Sequence, residues 1–232
     1  MNDILLYNAG TSPALSFATK ELQKMGYTFC NESKNATHLL LNIPTMQQVL
    51  PEDLPSDITV IGGNLQLPFP VIDLLTDPCY IAENAMITAH CAIKVAMREV
   101  KHILPDLQIL VIGWGRIGKC LARLLQQMGC KVFVAARKPC DRAILTALGY
   151  EAIATNDIDT DRFDLIFNTV PVLIIENCTS DAIIIELASS PGITGKNVIS
   201  ARGLPGKDAP ESSGKLIAKT IHRILSEKEN VL

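Results

Sequence analysis

The chain lacks a surplus of basic residues: 21 Lys and Arg stand against 24 Asp and Glu, a formal net charge of −3. That excludes the strongly basic character of a nucleic-acid binder, and no nucleic-acid partner is expected. It also lacks any apolar run of the roughly 18–20 residues needed to cross a bilayer. The opening MNDILLYNAG has an acid at position 3 and no basic stretch, so no secretory signal is expected. Cysteine occurs seven times, an odd number without a CxxC pair, which argues against a disulfide framework, a structural zinc site or any other metal. Most of the cysteines sit in apolar runs and read as small core residues. No internal repeat or low-complexity tract occurs. The expectation is a soluble cytoplasmic protein with no membrane partner.

What is present is core material. Hydrophobic residues make up 48% of the 232 residues, enough for a packed interior in one large or two small domains. Residues 3–8 form an apolar run, closed by Ala9-Gly10-Thr11-Ser12-Pro13 and followed by a helical pattern over 14–25, with Ser12 as N-cap and Pro13 as first helical residue. Short strands are expected at 27–30, 38–43 and 59–61, the last ending at Gly62-Gly63-Asn64. The spacing of apolar residues then predicts a long helix over 82–104, stopped by Pro105.

From Leu107 onward strands alternate with helices: strands at 108–112, 131–135, 151–154, 165–168, 182–187 and 197–200, and helices at 116–128 and 141–148. Such alternation predicts an α/β fold built on a doubly wound parallel sheet, the Rossmann arrangement, covered on both faces. A last amphipathic helix runs from 211 or 212 to about 226. The reading is of two domains: 1–83 plus about 209–232 as a smaller α/β domain on the substrate side, and 84–208 as a hinge helix and dinucleotide-binding domain.

The strongest chemical signal is LQILVIGWGRIGKCLARLL, a strand, then Gly113-Trp114-Gly115-Arg116-Ile117-Gly118, then a helix. Gly113 permits the tight turn, Gly115 lets a pyrophosphate approach the backbone, and Gly118 allows close helix–strand packing. The diphosphate would sit on the first N–H groups of the helix. The next strand, KVFVAARKP, ends in Ala136, Arg137 and Lys138 and has no acid to receive a ribose 2′-hydroxyl. Two cations there suit a 2′-phosphate, so NADP is expected rather than NAD. Strand ends line the ligand crevice of such a sheet. This brings in Asn168, Thr169, Val170 and Pro171 after one strand, facing the nicotinamide ribose, and Leu187 and Ala188 after the next.

Several segments together resemble a known family. AENAMITAHCAIKVAM ahead of the glycines, VAAR, NTVP, LASSPG and above all GLPGKDAPESSGKLIA are similar to the A subunit of dipicolinate synthase, over roughly residues 80–225. The resemblance implies an NADP-dependent oxidation in which a dihydrodipicolinate-type cyclic dicarboxylate loses a hydride and a proton to become the pyridine dicarboxylate. It also implies, in spore-forming bacteria, a homo-oligomer and a partner in the form of a flavoprotein-like second subunit. Two positions depart from that pattern: His90 stands in place of a carboxylate, and Glu186 in place of the common Asp.

On this reading the catalytic candidates are His90, suited by its ordinary pKa to take a proton at neutral pH, with Thr88 and Asn84 on the same helix. Glu83 is a further possible base. A substrate carboxylate is expected on Arg202 and Lys207, which flank the loop Gly203-Leu204-Pro205-Gly206, and on the start of the final helix at Ser213. Gly63 and Asn64 are expected to face the nicotinamide from the smaller domain. Two alternatives stay open: a nucleotide-binding regulatory or scaffold subunit without turnover, and a related dehydrogenase acting on another small acid.

Overall fold

The computed structural model describes residues 4–45 and 50–229. The chain divides into two compact units, Met1–Asn84 with Pro205–Leu232, and Ala85–Leu204.

The first unit is built on strands β1 (Leu5–Asn8), β2 (Thr28–Phe29), β3 (His38–Leu40), β4 (Thr59–Gly62) and β5 (Val71–Asp73), all parallel, in the order β2-β1-β3-β4-β5. Asp3, the expected start of the first strand, lies outside the described residues. Helix α1 (Pro13–Lys24) begins at the expected cap: the Ser12 hydroxyl accepts the N–H of Leu15 at 3.3 Å. Strand β5 goes beyond the sequence reading, because Val71–Asp73 is only three residues long and has no room to display an alternating pattern.

Helix α2 (Pro78–Glu99) starts four residues before and ends five residues before the expected 82–104. Its start is set by Asp77, whose carboxylate accepts the N–H of Tyr80 at 2.7 Å, with Pro78 as the first helical residue. Its end is not set by Pro105, which lies in a separate 3₁₀ turn, Leu104–Asp106. The buried Leu104 continues the apolar spacing while belonging to that next turn.

The second unit holds β6 (Ile109–Ile112), α3 (Arg116–Gln127), β7 (Val132–Ala136), α4 (Pro139–Ala147), β8 (Glu151–Ala154), β9 (Leu165–Asn168), β10 (Ile175–Cys178), β11 (Ile183–Glu186), β12 (Ile193–Gly195) and β13 (Val198–Ser200). Six of these strands form a parallel sheet in the order β13-β11-β9-β6-β7-β8. This is the doubly wound topology expected, with the strand order reversing between β6 and β9. Every residue of β6 is buried. The core of this unit gathers Leu110, Ile112, Phe133, Phe163, Ile166 and Ile184.

The second half of this sheet is connected differently from the first. The strand–helix alternation stops at β8: 3₁₀ turns lead into β9, and the strands of the small parallel pair β10–β12 lie between β9, β11 and β13 in the chain. Pro171 disfavours a helix start after β9, and the β-branched Ile174 and Ile175 favour extended chain.

The chain then forms α5 (Leu204–Asp208) and α6 (Pro210–Glu229). Helix α6 packs on α1, and Gly214 makes this possible, since a Cβ there would meet the Ala14 carbonyl oxygen at 2.5 Å and the Ala18 nitrogen at 2.8 Å. Among the described residues the cysteines form no disulfide. Cys91, Cys130 and Cys178 are buried, whereas Cys79 and Cys140 are exposed, each just after the proline that opens a helix.

Candidate nucleotide-binding site

The turn after β6 is built by three glycines with different duties. Gly113 has φ +104°, a left-handed conformation that disfavours side chains, and its N–H donates to the Ala135 carbonyl at 2.9 Å. A Cβ on Gly113 would strike Thr169 Oγ1 and Val170 Cγ2, and one on Gly118 would strike the Gly113 carbonyl oxygen. These two glycines serve packing. Gly115 is different: a Cβ there would meet nothing within 4 Å. It is the N-cap of α3 and offers no side chain to the helix, whose first internal bond is Lys119 N–H to Gly115 O at 2.9 Å. The N–H groups of Arg116, Ile117 and Gly118 precede that bond, at the positive end of the helix dipole. The surface at Gly115 is bare backbone facing open space, which fits a diphosphate.

Beside it is a cavity of about 770 Å³ at the carboxyl ends of the strands. Gly113 and Trp114 form one edge and Ala136, Arg137 and Lys138 another, with Val170 and the exposed Val172 and Leu173 on the facing wall. Trp114 stacks edge-on against Tyr150 at 5.6 Å, with the Lys119 ammonium 5.7 Å from its ring centre. Burial raises the Tyr150 phenol above its ordinary pKa, against a smaller opposing pull from Arg123.

Two residues that sequence reasoning does not single out act here. The Arg142 guanidinium donates from Nη1 to the carbonyls of Ala136 and Arg137, at 2.9 and 2.8 Å, and so fixes the turn that carries the cations. Asp141, in the first turn of α4, lines the same cavity. Neither is visible in a strand-by-strand reading, because both belong to the following helix and return to the strand end only through the fold.

The residues after β9 depart from expectation. Asn168 is fully buried. Its amide donates to both oxygens of Glu186 at 2.9 Å and to the Val170 carbonyl at 3.1 Å, and its oxygen accepts the Val170 N–H at 3.1 Å. It is therefore spent on internal bonds and is not presented to a ribose. Thr169 donates its hydroxyl to the Ile112 carbonyl at 2.8 Å and stays half-buried, while Pro171 is exposed. Leu187 and Ala188 are buried, and their N–H groups donate to Asn168 O and Glu186 Oε1, so neither offers a donor to a cofactor.

The catalytic and substrate candidates divide between the two units: Thr88, His90 and Arg202 fall in the second, and Asn84, Gly63, Asn64, Lys207 and Ser213 in the first. Thr88 is buried and His90, two residues on, is exposed, so they occupy opposite faces of α2. Asn84 falls in the first unit, where Glu83 is also engaged, by Lys219 Nζ at 2.8 Å. Gly63 is buried, with its N–H and carbonyl both bonded to Thr45, while Asn64 is exposed at φ +63°. Arg202 is exposed just beyond β13. Lys207 lies in α5, because the expected loop over 203–206 coils into a short helix. Ser213 is buried one turn inside α6, which begins at Pro210, and its N–H is already bonded to the Ala209 carbonyl at 3.0 Å. It cannot serve as a helix-start anion site. A second cavity, of about 690 Å³, lies near His102 and Asp164, at the amino-terminal edge of the same sheet. It is away from the edge where doubly wound sheets bind ligands.

Residues 84–174 match the model of the NAD-binding domain of D-isomer-specific 2-hydroxyacid dehydrogenases. Among curated proteins, the A subunit of dipicolinate synthase from Bacillus subtilis (strain 168) is 29% identical over 159 residues, 62% of this chain and 54% of that one. The match thus spans about half the length of that relative. Among solved structures, the corresponding protein of Bacillus halodurans superposes with a TM-score of 0.80 at 20% identity, covering 95% of this chain and 97% of that one. The chain is similar to the A subunit of dipicolinate synthase, in sequence and in fold. The resemblance read from the sequence is borne out. Transhydrogenase from Sinorhizobium meliloti shares the fold at a TM-score of 0.75 and 15% identity, over 97% of this chain and 94% of that one. Among the described residues no helix is long and apolar enough to cross a membrane.

Proposed function

We propose that this chain is an NADP-dependent oxidoreductase of the dipicolinate synthase type, converting a dihydrodipicolinate-like cyclic dicarboxylate to the pyridine dicarboxylate. One observation carries the reading: the open backbone at Gly115 adjoins a cavity with Arg137 and Lys138 on its wall. A diphosphate fits the first, and a ribose 2′-phosphate the second. A bound dinucleotide would supply the acceptor for a hydride from the substrate ring carbon. The chain's own residues supply the rest. Arg202, exposed past β13, holds a substrate carboxylate, and His90, exposed on α2, receives the proton. The partners this reading carries with it are a second copy of the chain and a flavoprotein-like subunit.

The deciding measurement is NADP reduction, followed by absorbance, with freshly prepared dihydrodipicolinate. Turnover is the expected result. Nucleotide binding without turnover would instead support a regulatory role that keeps the site. For the cofactor, Arg137→Asp is expected to weaken NADPH relative to NADH by more than about tenfold, or roughly 1.4 kcal/mol. Equal weakening of both would remove the assignment of the 2′-phosphate to Arg137.

A second reading rests on Asp141. Its carboxylate lines the cavity beside the two cations and is the acid that a ribose 2′-hydroxyl would use. On that reading NAD binds as well as NADP, and Asp141→Asn weakens NADH alone.

A further inference from the structure

A heavily bonded side chain of the second unit lies outside the residues assigned to the cofactor. Glu186, at the end of β11, is 2% exposed. Its carboxylate accepts the Asn168 amide at 2.9 Å on each oxygen, the Ala188 N–H at 3.0 Å on one, and the Gly192 and Ile193 N–H groups at 2.9 and 3.1 Å on the other. Charge-assisted bonds of this kind are the stronger ones, and here they close both ends of the 188–192 loop on a single group.

The grip extends to the cavity. Asn168, held by Glu186, closes the turn to Val170 through its oxygen and its amide. Gly192, held by Glu186, packs so tightly under this turn that a Cβ would strike the Asn168 amide and meet the Val170 and Val172 carbonyls at 2.5 and 3.0 Å. The Gly192 carbonyl in turn accepts the Ile174 N–H at 2.7 Å. The wall running from Val170 to Ile174 is thus anchored at both ends to one carboxylate. Thr169 and Val170 abut the glycine turn itself, since they are the atoms a Gly113 Cβ would strike.

We infer that Glu186 is a positioning residue: it sets the segments after β9 and β11 against which the nicotinamide half of a dinucleotide is held. In a doubly wound sheet the adenosine half lies over the strands bearing the glycine turn and its neighbours, here β6, β7 and β8, and the nicotinamide half over β9, β11 and β13. Glu186 and both segments it grips belong to the second half. The inference rests on the dinucleotide reading of the site, and it assigns Glu186 no contact with the ligand.

Glu186→Gln tests it. Whichever way the amide turns, its NH₂ faces backbone N–H groups that the carboxylate now accepts. NADPH and 2′,5′-ADP, which has the 2′-phosphate and adenosine but no nicotinamide, are titrated into the whole wild-type chain and the variant under conditions where both are folded by near-UV circular dichroism. The emission of bound NADPH is recorded alongside. The expected result is a tenfold or greater loss of NADPH affinity with an altered emission, and 2′,5′-ADP affinity within about twofold of wild type. Unchanged NADPH binding overturns the inference. Equal weakening of both ligands overturns it too, since a general loosening of the unit would act on both. Wild type that binds neither ligand removes the dinucleotide reading, and this inference with it. Should Glu186→Gln fail to fold, Asn168→Ser carries the same test: it leaves the three backbone donors on Glu186 and removes the side-chain bonds that tie the turn after β9 to it, those to Glu186 and to Val170.

Discussion

The glycine turn separates residues that shape the protein from residues that shape its ligand. An alanine methyl at position 115 points into open space, whereas one at 118 falls on the Gly113 carbonyl. Gly115→Ala is therefore expected to unfold in urea within about 0.5 kcal/mol of wild type, yet to lose NADPH binding by tenfold or more in a fluorescence titration. Gly118→Ala is expected to lose about 1–3 kcal/mol of stability, because helix and strand must be forced apart. These duties are legible in the sequence, since a motif of fixed spacing lies within one strand–turn–helix unit. Asn168 reads wrongly as a ribose ligand for the opposite reason. Its fate depends on Glu186, 18 residues away on the neighbouring strand, and no local pattern reports that an amide is already spent. Ser213 reads wrongly because the helix starts earlier than its pattern suggests, which turns an expected open N–H into an internal bond.

At the level of elements, types are more legible than edges. The strands of the second unit show nearly all as short apolar runs between breakers, while β10 and β12, which pair only with each other, do not. The cap of α2 is present in the sequence as Asp77-Pro78 but is masked by the apolar rhythm further along. That cap makes a specific prediction. Burial by itself would raise the Asp77 carboxyl. The Tyr80 N–H, then the Arg223 guanidinium at 2.6 Å and the Cys79 N–H outweigh it and hold the group below its ordinary value of 3.8. Asp77→Ala removes both cap and ion pair and is expected to cost about 1–2 kcal/mol. Asp77→Asn keeps the cap and loses only the pair, a cost of about 1 kcal/mol or less. A depressed carboxyl stabilises the fold above its unfolded pKa, and the benefit is lost as pH falls through the lowered folded value. Wild type and Asp77→Asn should thus differ in urea midpoint at neutral pH and converge in strong acid.

For the molecule as a whole, every residue lining the nucleotide cavity falls within Ala85–Leu204. Ligand bound to the native form alone adds stability by mass action, about 2.7 kcal/mol at a hundred times the dissociation constant. NADPH is expected to slow amide hydrogen exchange across β6, β7 and β9 while leaving β1, β3 and β4 at their unliganded rates. Protection spread evenly over both units would show that the two open as one. The division into units also has a consequence for biosynthesis. The side of α1 that carries Ala14 and Ala18, both buried in the finished protein, is covered by a helix encoded after the whole of the second unit. While the ribosome is still making the nucleotide-binding part, that side is bare. The first unit to emerge is accordingly the last to be completed, and a chain halted in mid-translation would display a greasy helix that chaperones and proteases recognise.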